Sequence, residues 1–353
     1  EYADIFNEDR GSVGAQEMFK FFDRDNNMLV LRPDMTPAVA RCVAKYFMDD
    51  DMPLRLCYLE RTFKNNTSYQ GYLKERAESG AELIGDDSPD ADAEMIAMVI
   101  DCLKTAGLKE FQVELGEVAF YRSLLLQSGL DEDVQARLND LIENKNRFGV
   151  EEFLKNQNME ESLKEAFLKL PELFGGISQI KKAKTLTHNP QALAAIERLE
   201  RVHTLLEEYH MADYVSYDLG MLSRYQYYTG IIFKAYTYGT GDYIVTGGRY
   251  NKLLVQFGKD TPAVGFAIVV DQLMAALSRQ QIHIPVQLVN TVILYEPSAR
   301  QSAVCLSRFF RSEGTPVQAM VMEKGKSLED YKEMAKKRGL RTILCLKDAG
   351  NTV

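Results

Sequence analysis

Apolar residues recur at two periods along the chain, and the switches between them outline its elements. Leu29 to Leu31 is a short apolar run. Thr36 and Pro37 read as an N-cap and a first helical position. Val39, Val43, Tyr46 and Phe47 follow at helical spacing and predict a helix to about Asp49. Leu54 to Glu60 alternates in part and predicts a strand; Gly80 to Ile84 predicts its partner, with a long polar connection between them. Ser88-Pro89 opens a second helix whose Asp90, Asp92 and Glu94 suit the positive end of the helix dipole. That helix is expected to end near Gly107, ahead of a strand at Phe111 to Leu115.

From Ser123 to His210 the pattern becomes charged and leucine-rich, broken by Gly149, Pro171, Gly175 and Gly176. Asn189-Pro190 caps an amphipathic helix with Leu193, Ile196, Leu199, Val202, Leu205 and Leu206 on one face. An all-helical insertion follows from this, its apolar stripe used for internal packing. Strand-like sequence resumes at Tyr214, and Tyr227 to Phe233 with Tyr243 to Val245 predicts an antiparallel hairpin. Pro262 to Leu277 reads as a strand and then a helix. Beyond Ser278, strands at Thr291–Tyr295, Pro316–Met322 and Thr342–Leu346 alternate with helices at Ser298–Gly314 and Ser327–Gly339. Ser298 with Gln301, and Ser327 with Asp330, read as capping boxes. That order is βαβαβ, a small α/β unit with parallel pairing. The expected divisions are 1–122, the first part of a core; 123–210, the insertion; 211–282, the second part of the core; and 283–353, the α/β unit.

The 353 residues lead one to expect roughly two or three domains. With 46% hydrophobic and 26% charged residues the chain is neither disordered nor fibrous. No apolar stretch approaches the roughly 18 residues of a membrane span. The formal net charge of -9 sets the global field against nucleic acid. Five cysteines, an odd number without a CxxC pair, favour a reducing cytoplasm over disulfides or zinc. The four histidines are scattered, and neither a metal site nor a cofactor is expected. Glu1 opens the chain and no signal peptide is visible, so further residues are expected ahead of it. Two glycine motifs are weak: Gly325-Lys326-Ser327 has Met320 where a P-loop needs glycine, and Gly239-Thr240-Gly241 opens no helix, so both read as turns.

One ordered set is specific. Leu31-Arg32-Pro33-Asp34-Met35-Thr36-Pro37, then Tyr58 to Gly85, Tyr227-Tyr228-Thr229-Gly230, Gly247-Gly248-Arg249-Tyr250 and Ala263-Val264-Gly265-Phe266-Ala267 occur in this order. Together they resemble histidyl-tRNA synthetase over nearly the whole chain. The fold implied is α+β: a class II aminoacyl-tRNA synthetase-like antiparallel sheet with helices, a helical insertion, and a small C-terminal α/β domain like the anticodon-binding one.

The departures from that family bear on ATP. Its Phe-Arg-x-Glu motif is matched by Phe63-Lys64-Asn65-Asn66, which loses a bidentate guanidinium and a carboxylate. Arg76 stands where an aromatic side chain stacks on adenine. In Val269-Val270-Asp271-Gln272-Leu273, neutral Gln272 replaces the arginine on the γ-phosphate and Val269 adds bulk where glycine stood. Ser223 takes the place of the histidyl-specific arginine, with Arg224 one position off; in a strand one step reverses the face. Fixed cations carry much of adenylate formation, and a single lost donor costs about 3–4 kcal/mol in comparable acyl-transfer sites. Adenylation is therefore expected to be lost.

The amino-acid half is better kept. The resemblance implies that Asp34 and Thr36 hold an α-amino group, Glu82 accepts from an imidazole nitrogen, and Tyr228 and Tyr250 flank the ring, with Glu78 in place of a glutamine. The expected pocket is Asp34, Thr36, Lys64, Glu78, Glu82, Tyr227, Tyr228, Arg249 and Tyr250. Taken singly, Thr36 reads as a helix cap, Tyr228 and Tyr250 as sheet core, Asp34 as a turn cap and Glu82 as a strand carboxylate facing solvent. As a set they read as a remnant ligand pocket.

Cys57-Tyr58-Leu59, Ser68-Tyr69-Gln70-Gly71, Gly80 to Ser88, Ile142 to Asn146 and Tyr236 to Asp242 resemble the regulatory subunits of ATP phosphoribosyltransferase, a paralogous family without catalysis of its own. That resemblance implies a short-form catalytic subunit as partner in the first step of histidine biosynthesis, feedback control by histidine, and a homodimer through the core. The C-terminal unit mixes Glu313, Glu323, Glu329, Asp330 and Glu333 with its Lys and Arg, so tRNA is not an expected partner, although Lys336, Lys337, Arg338 and Arg341 cluster. Two alternatives stay open: a divergent histidyl-tRNA synthetase, and a synthetase-like histidine- or tRNA-binding module.

Overall fold

Lys20–Phe22 (β1) and Met28–Val30 (β2) pair as an antiparallel hairpin. The carboxylate of Asp23 closes its turn by accepting from the amides of Asp25 (2.9 Å) and Asn27 (2.8 Å). The structure, a computed structural model, describes residues 1–6, 13–47, 49–65, 73–223, 225–284 and 289–347. The chain divides into two units, Glu1–His283 and Ile284–Val353.

In the first unit the hairpin leads to Thr36–Tyr46 (α1), which ends ahead of the expected Asp49. Leu54–Phe63 (β3) and Glu75–Ile84 (β4) then pair antiparallel over ten residues each. Sequence reading cut both strands short because one end of the pair, Arg61 and Thr62 beside Glu75 to Ser79, is largely polar. Cross-strand charge extends the ladder instead: Arg61 pairs with Glu75. Pro89–Thr105 (α2) starts at Ser88, whose hydroxyl accepts from the Ala91 amide (3.2 Å). Phe111–Glu117 (β5) follows.

The next segment is helical: Val118–Ser128 (α3), Glu132–Glu143 (α4), Arg147–Lys155 (α5), Glu161–Lys169 (α6), Ser178–Thr185 (α7) and Pro190–Glu208 (α8). It is not wholly helical, because Phe174–Gly175 (β6) pairs with Val215–Asp218 (β7) at one edge of the sheet. Asn189 caps α8, accepting from the amides of Gln191 (2.9 Å) and Ala192 (3.2 Å). The stripe Ile196, Leu199, Val202, Leu205 and Leu206 is buried in the same core as Val113, Leu115 and Phe233 of the sheet. These five are internal packing, as expected, while Leu193 of the expected stripe is only half-buried.

Ile231–Thr237 (β8), Val245–Arg249 (β9) and Ala263–Val269 (β10) complete an eight-stranded sheet of order β3-β4-β10-β9-β8-β5-β7-β6, and Val270–Arg279 (α9) follows. Its pairings are antiparallel except β5 with β7. That pair is parallel because the whole helical segment forms its crossover connection.

The second unit holds a three-stranded parallel sheet of Thr291–Tyr295 (β11), Val317–Val321 (β12) and Thr342–Leu346 (β13), in the order β12-β11-β13. Arg300–Ser312 (α10) and Leu328–Lys337 (α11) supply the helices. Val292, Leu294 and Tyr331 form one small core, and Ile293, Ala303 and Val317 another, as the alternation of β11 requires. The Ser327–Asp330 capping box forms. The one expected at Ser298 and Gln301 does not. Pro297–Ala299 forms a 3-10 turn directly ahead of α10, so Ala299 becomes the N-cap and Ser298 lies inside the turn. The turn shifts the start of α10 one residue past Ser298, and the helix begins without a side-chain cap bond. Gly325 adopts φ +90° in the turn before Ser327, in keeping with a turn rather than a P-loop.

Candidate functional site

The first unit brings Asp34, Glu78 and Glu82 together on one side of β4. Alternation puts Arg76, Glu78, Gly80 and Glu82 on a single face. Across β10 in register, Gly265 lies opposite Glu82, and Ala267 and Val269 continue that row. Asp34 precedes α1, Thr36 begins it, and Lys64 follows β3. A cavity lies between these residues. Its free space is about 20 Å³, room for a water and little more. Asp34, Thr36, Lys64, Glu78, Val269 and five tyrosines (Tyr225, Tyr227, Tyr228, Tyr243, Tyr250) line it.

A continuous set of hydrogen bonds holds the acids. Asp34 Oδ1 accepts from the Thr36 amide (3.2 Å) and Asp34 Oδ2 from the Tyr227 hydroxyl (3.0 Å). Glu82 Oε1 accepts from the Thr36 hydroxyl (3.3 Å), and Glu82 Oε2 meets the Tyr250 hydroxyl in a short contact. Thr36 is thus the first residue of α1 rather than its cap, and Met35 takes the N-cap position. Burial raises the carboxyl pKa of all three acids: Asp34 and Glu78 go up, and Glu82 is pushed up to about 8. The neighbouring Lys64 opposes the rise at Asp34 and Glu78. A cavity walled by carboxyl groups and tyrosyl faces suits a cation or a ring with polar nitrogens.

Lys64 itself is engaged. Its Nζ donates to the Tyr225 hydroxyl (2.6 Å). The Tyr225 ring stacks on Tyr227, with centroids 5.3 Å apart and planes 18° from parallel. Arg76 is buried on the same face as Glu78. Asp271, in the first turn of α9, accepts from the Ala77 amide (2.8 Å) and so ties that turn to β4. Asn66, Arg224 and the Ser68-Tyr69-Gln70-Gly71 stretch lie outside the described residues.

Arg249 is placed away from the cavity. In β9 the even positions Thr246 and Gly248 face one way and Arg249 the other. Its guanidinium is 2% exposed; it donates to Asp92 Oδ1 (2.7 Å), the Asp86 carbonyl (3.0 Å), Asp87 (3.2 Å) and Asn251 (3.2 Å). Arg198 of α8 meets the other Asp92 oxygen, Oδ2, at 2.8 Å. This buried network pins the start of α2 to β9 and α8. Beside it sits Glu117, whose Oε1 caps α3 at the Ala119 amide (3.0 Å) and whose carboxyl burial pushes up to about 8.

Sequence reading missed Tyr225, Tyr243, Thr246 and Gly265 as cavity residues. Tyr225 was visible as part of the run Tyr225-Gln226-Tyr227-Tyr228. Thr246 had no local signal, since only the pairing of β9 with β10, which sets it opposite Ala267, brings it to the cavity. Among the described residues no group of His, Cys, Asp and Glu side chains is arranged to hold a metal ion. The five cysteines are unpaired, and no described helix is long and apolar enough to cross a membrane.

Comparison with known proteins gives the same outline. The profile of the histidyl-tRNA synthetase family matches residues 1–273. A protein of Acetivibrio thermocellus named ATP phosphoribosyltransferase regulatory subunit is 36% identical over 351 residues, spanning 99% of this chain and 84% of its own. One of the same name from Clostridium acetobutylicum is 40% identical over 279 residues, 78% of this chain and 69% of its own. A crystal structure from Bacillus halodurans C, described as an ATP phosphoribosyltransferase regulatory subunit/histidyl-tRNA synthetase, superposes with a TM-score of 0.83. It has 31% sequence identity and covers 99% of this chain and 88% of its own.

Proposed function

The chain belongs to the family of ATP phosphoribosyltransferase regulatory subunits, built on the class II synthetase-like fold, and from that premise we propose how it works. It assembles with a short-form catalytic subunit, which joins ATP to phosphoribosyl pyrophosphate, and it raises that subunit's turnover. Its cavity takes histidine, and occupancy reports histidine supply to the partner. Coupling of this kind is reciprocal: histidine and the catalytic subunit each alter the affinity for the other. A homodimer through the first unit and a cytoplasmic location belong to this reading. Strong tRNA binding does not.

The observation that carries the pocket reading is the asymmetry of the site. Asp34, Thr36, Glu82, Tyr227, Tyr228 and Tyr250 form one set, joined by hydrogen bonds and by tilted and edge-on ring contacts, fit for an ammonium and an imidazole. On the nucleotide side, Lys64 is bonded to Tyr225, Val269 fills the wall, and Gln272 is neutral.

The test is to mix the purified chain with the short-form catalytic subunit and follow phosphoribosyl-ATP formation with and without histidine. Faster turnover on mixing, and an altered response to histidine, are expected. No effect of mixing overturns the reading. Histidine-dependent exchange of pyrophosphate into ATP by the chain alone would overturn it from the other side.

A further inference from the structure

The cavity is already occupied by the protein's own side chains. Its free space of about 20 Å³ is far below what an amino acid needs. Among the described residues lining it, Lys64 is the cationic one, set near buried Asp34 and half-buried Glu78. Lys64 Nζ donates to the Tyr225 hydroxyl at 2.6 Å, and Tyr225 lies flat on Tyr227, the tyrosine that donates to Asp34. The cation, the ring and the acid therefore form one chain of contacts across the space.

We propose that Lys64 is an internal stand-in for a ligand's ammonium group, held in place by Tyr225, and that the cavity opens only to ligands that bring a cation of their own to displace it. This deepens the histidine reading and rests on it: the ligand class becomes imidazoles carrying a primary ammonium. In the absence of ligand Lys64 is the lining cation that opposes the desolvation of Asp34 and Glu78, so its withdrawal is disfavoured unless another cation takes its place. An ammonium-bearing ligand exchanges one cation for another. A ligand without one must leave Lys64 in place and compete with it for volume. Lys64 thereby lowers apparent affinity by holding the binding-competent arrangement to a minor population. Ser223 also acquires a role that the synthetase pattern does not assign it: its Oγ accepts from the Tyr225 amide (3.0 Å), beside the ring that holds Lys64.

Calorimetry on the full chain tests this with histidine, histamine and imidazolepropionate, the last lacking an ammonium. Lys64→Met is expected to tighten histamine at least tenfold and to leave imidazolepropionate within about threefold. Tyr225→Phe, which removes the hydroxyl that holds Lys64, is expected to shift histamine in the same direction by less, and serves if the Lys64 variant does not fold. Weaker histidine and histamine binding in both variants overturns the stand-in role, since Lys64 and Tyr225 would then be ligand contacts. Equal tightening of imidazolepropionate also overturns it, because the effect would be one of volume alone. No binding of any of the three by the unaltered chain overturns the histidine reading itself, and this inference with it.

Discussion

Gly265 faces Glu82 across the β4–β10 pair, and a Cβ built at position 265 would fall 1.6 Å from Glu82 Oε2. The buried carboxyl lies on bare backbone. The Ala81 carbonyl, 2.8 Å from the same point, leaves no room to retreat. Glycine at 265 is therefore a condition for the Glu82–Tyr250–Thr36 bonds.

Gly265→Ala should force Glu82 off its partners and strain the sheet. Overpacking of this kind costs about 1–3 kcal/mol. A urea midpoint matching that of the unaltered protein would contradict it.

Stability should fall with rising pH across the neutral range. Glu82 sits at about 8 in the folded protein against an ordinary 4.5, so the folded state binds its proton more tightly than the unfolded chain. Its stabilising share is full below about pH 4.5 and is lost as pH rises through about 8. Glu117 acts in the same direction. Urea unfolding at pH 5 and pH 8.5 should show a smaller drop in Glu82→Gln than in the parent. Equal drops would rule out Glu82 as a contributor.

Arg249→Ala should destabilise the first unit by about 3–5 kcal/mol, because it strands Asp92 in the core with one cation fewer. Arg249→Lys should recover little, since a single ammonium cannot reach Asp92, the Asp86 carbonyl and Asn251 together. Asp87→Ala, whose side chain is 59% exposed, should cost under about 1 kcal/mol. Chemical denaturation of the three variants ranks them, and a near-neutral Arg249→Ala would refute the hub role.

Ser327→Ala should raise amide hydrogen exchange in the first turn of α11, with a loss of about 1 kcal/mol, since Ser327 accepts from the Asp330 amide. Ser298→Ala should leave α10 unchanged, because Ser298 makes no cap. Equal effects at the two helices would show that the caps are misassigned.

Much of this was legible in the chain. Ser88-Pro89, Asn189-Pro190 and Ser327 to Asp330 mark helix starts through bonds within three residues, and such bonds need nothing from the rest of the fold. Thr291–Tyr295 and Thr342–Leu346 emerge at their expected bounds because apolar runs between caps and turns are strong local signals. Asp34, Glu78, Tyr227, Tyr228 and Tyr250 of the cavity could be named through the family they resemble, residue by residue; Tyr225 and Tyr243 could not.

What lay beyond the sequence depends on partners far along the chain. Whether Arg249 meets the cavity or Asp92 turns on the pleat of β9, where one position decides the face. Thr246 reaches the cavity through the register of β9 against β10. Lys64 finds Tyr225 across 161 residues of sequence. Local propensity is set by near neighbours and survives reading in one dimension. A buried carboxyl's pKa, a plugged cavity and a guanidinium's choice of face are set by whatever surrounds them, and only the folded sheet supplies those surroundings.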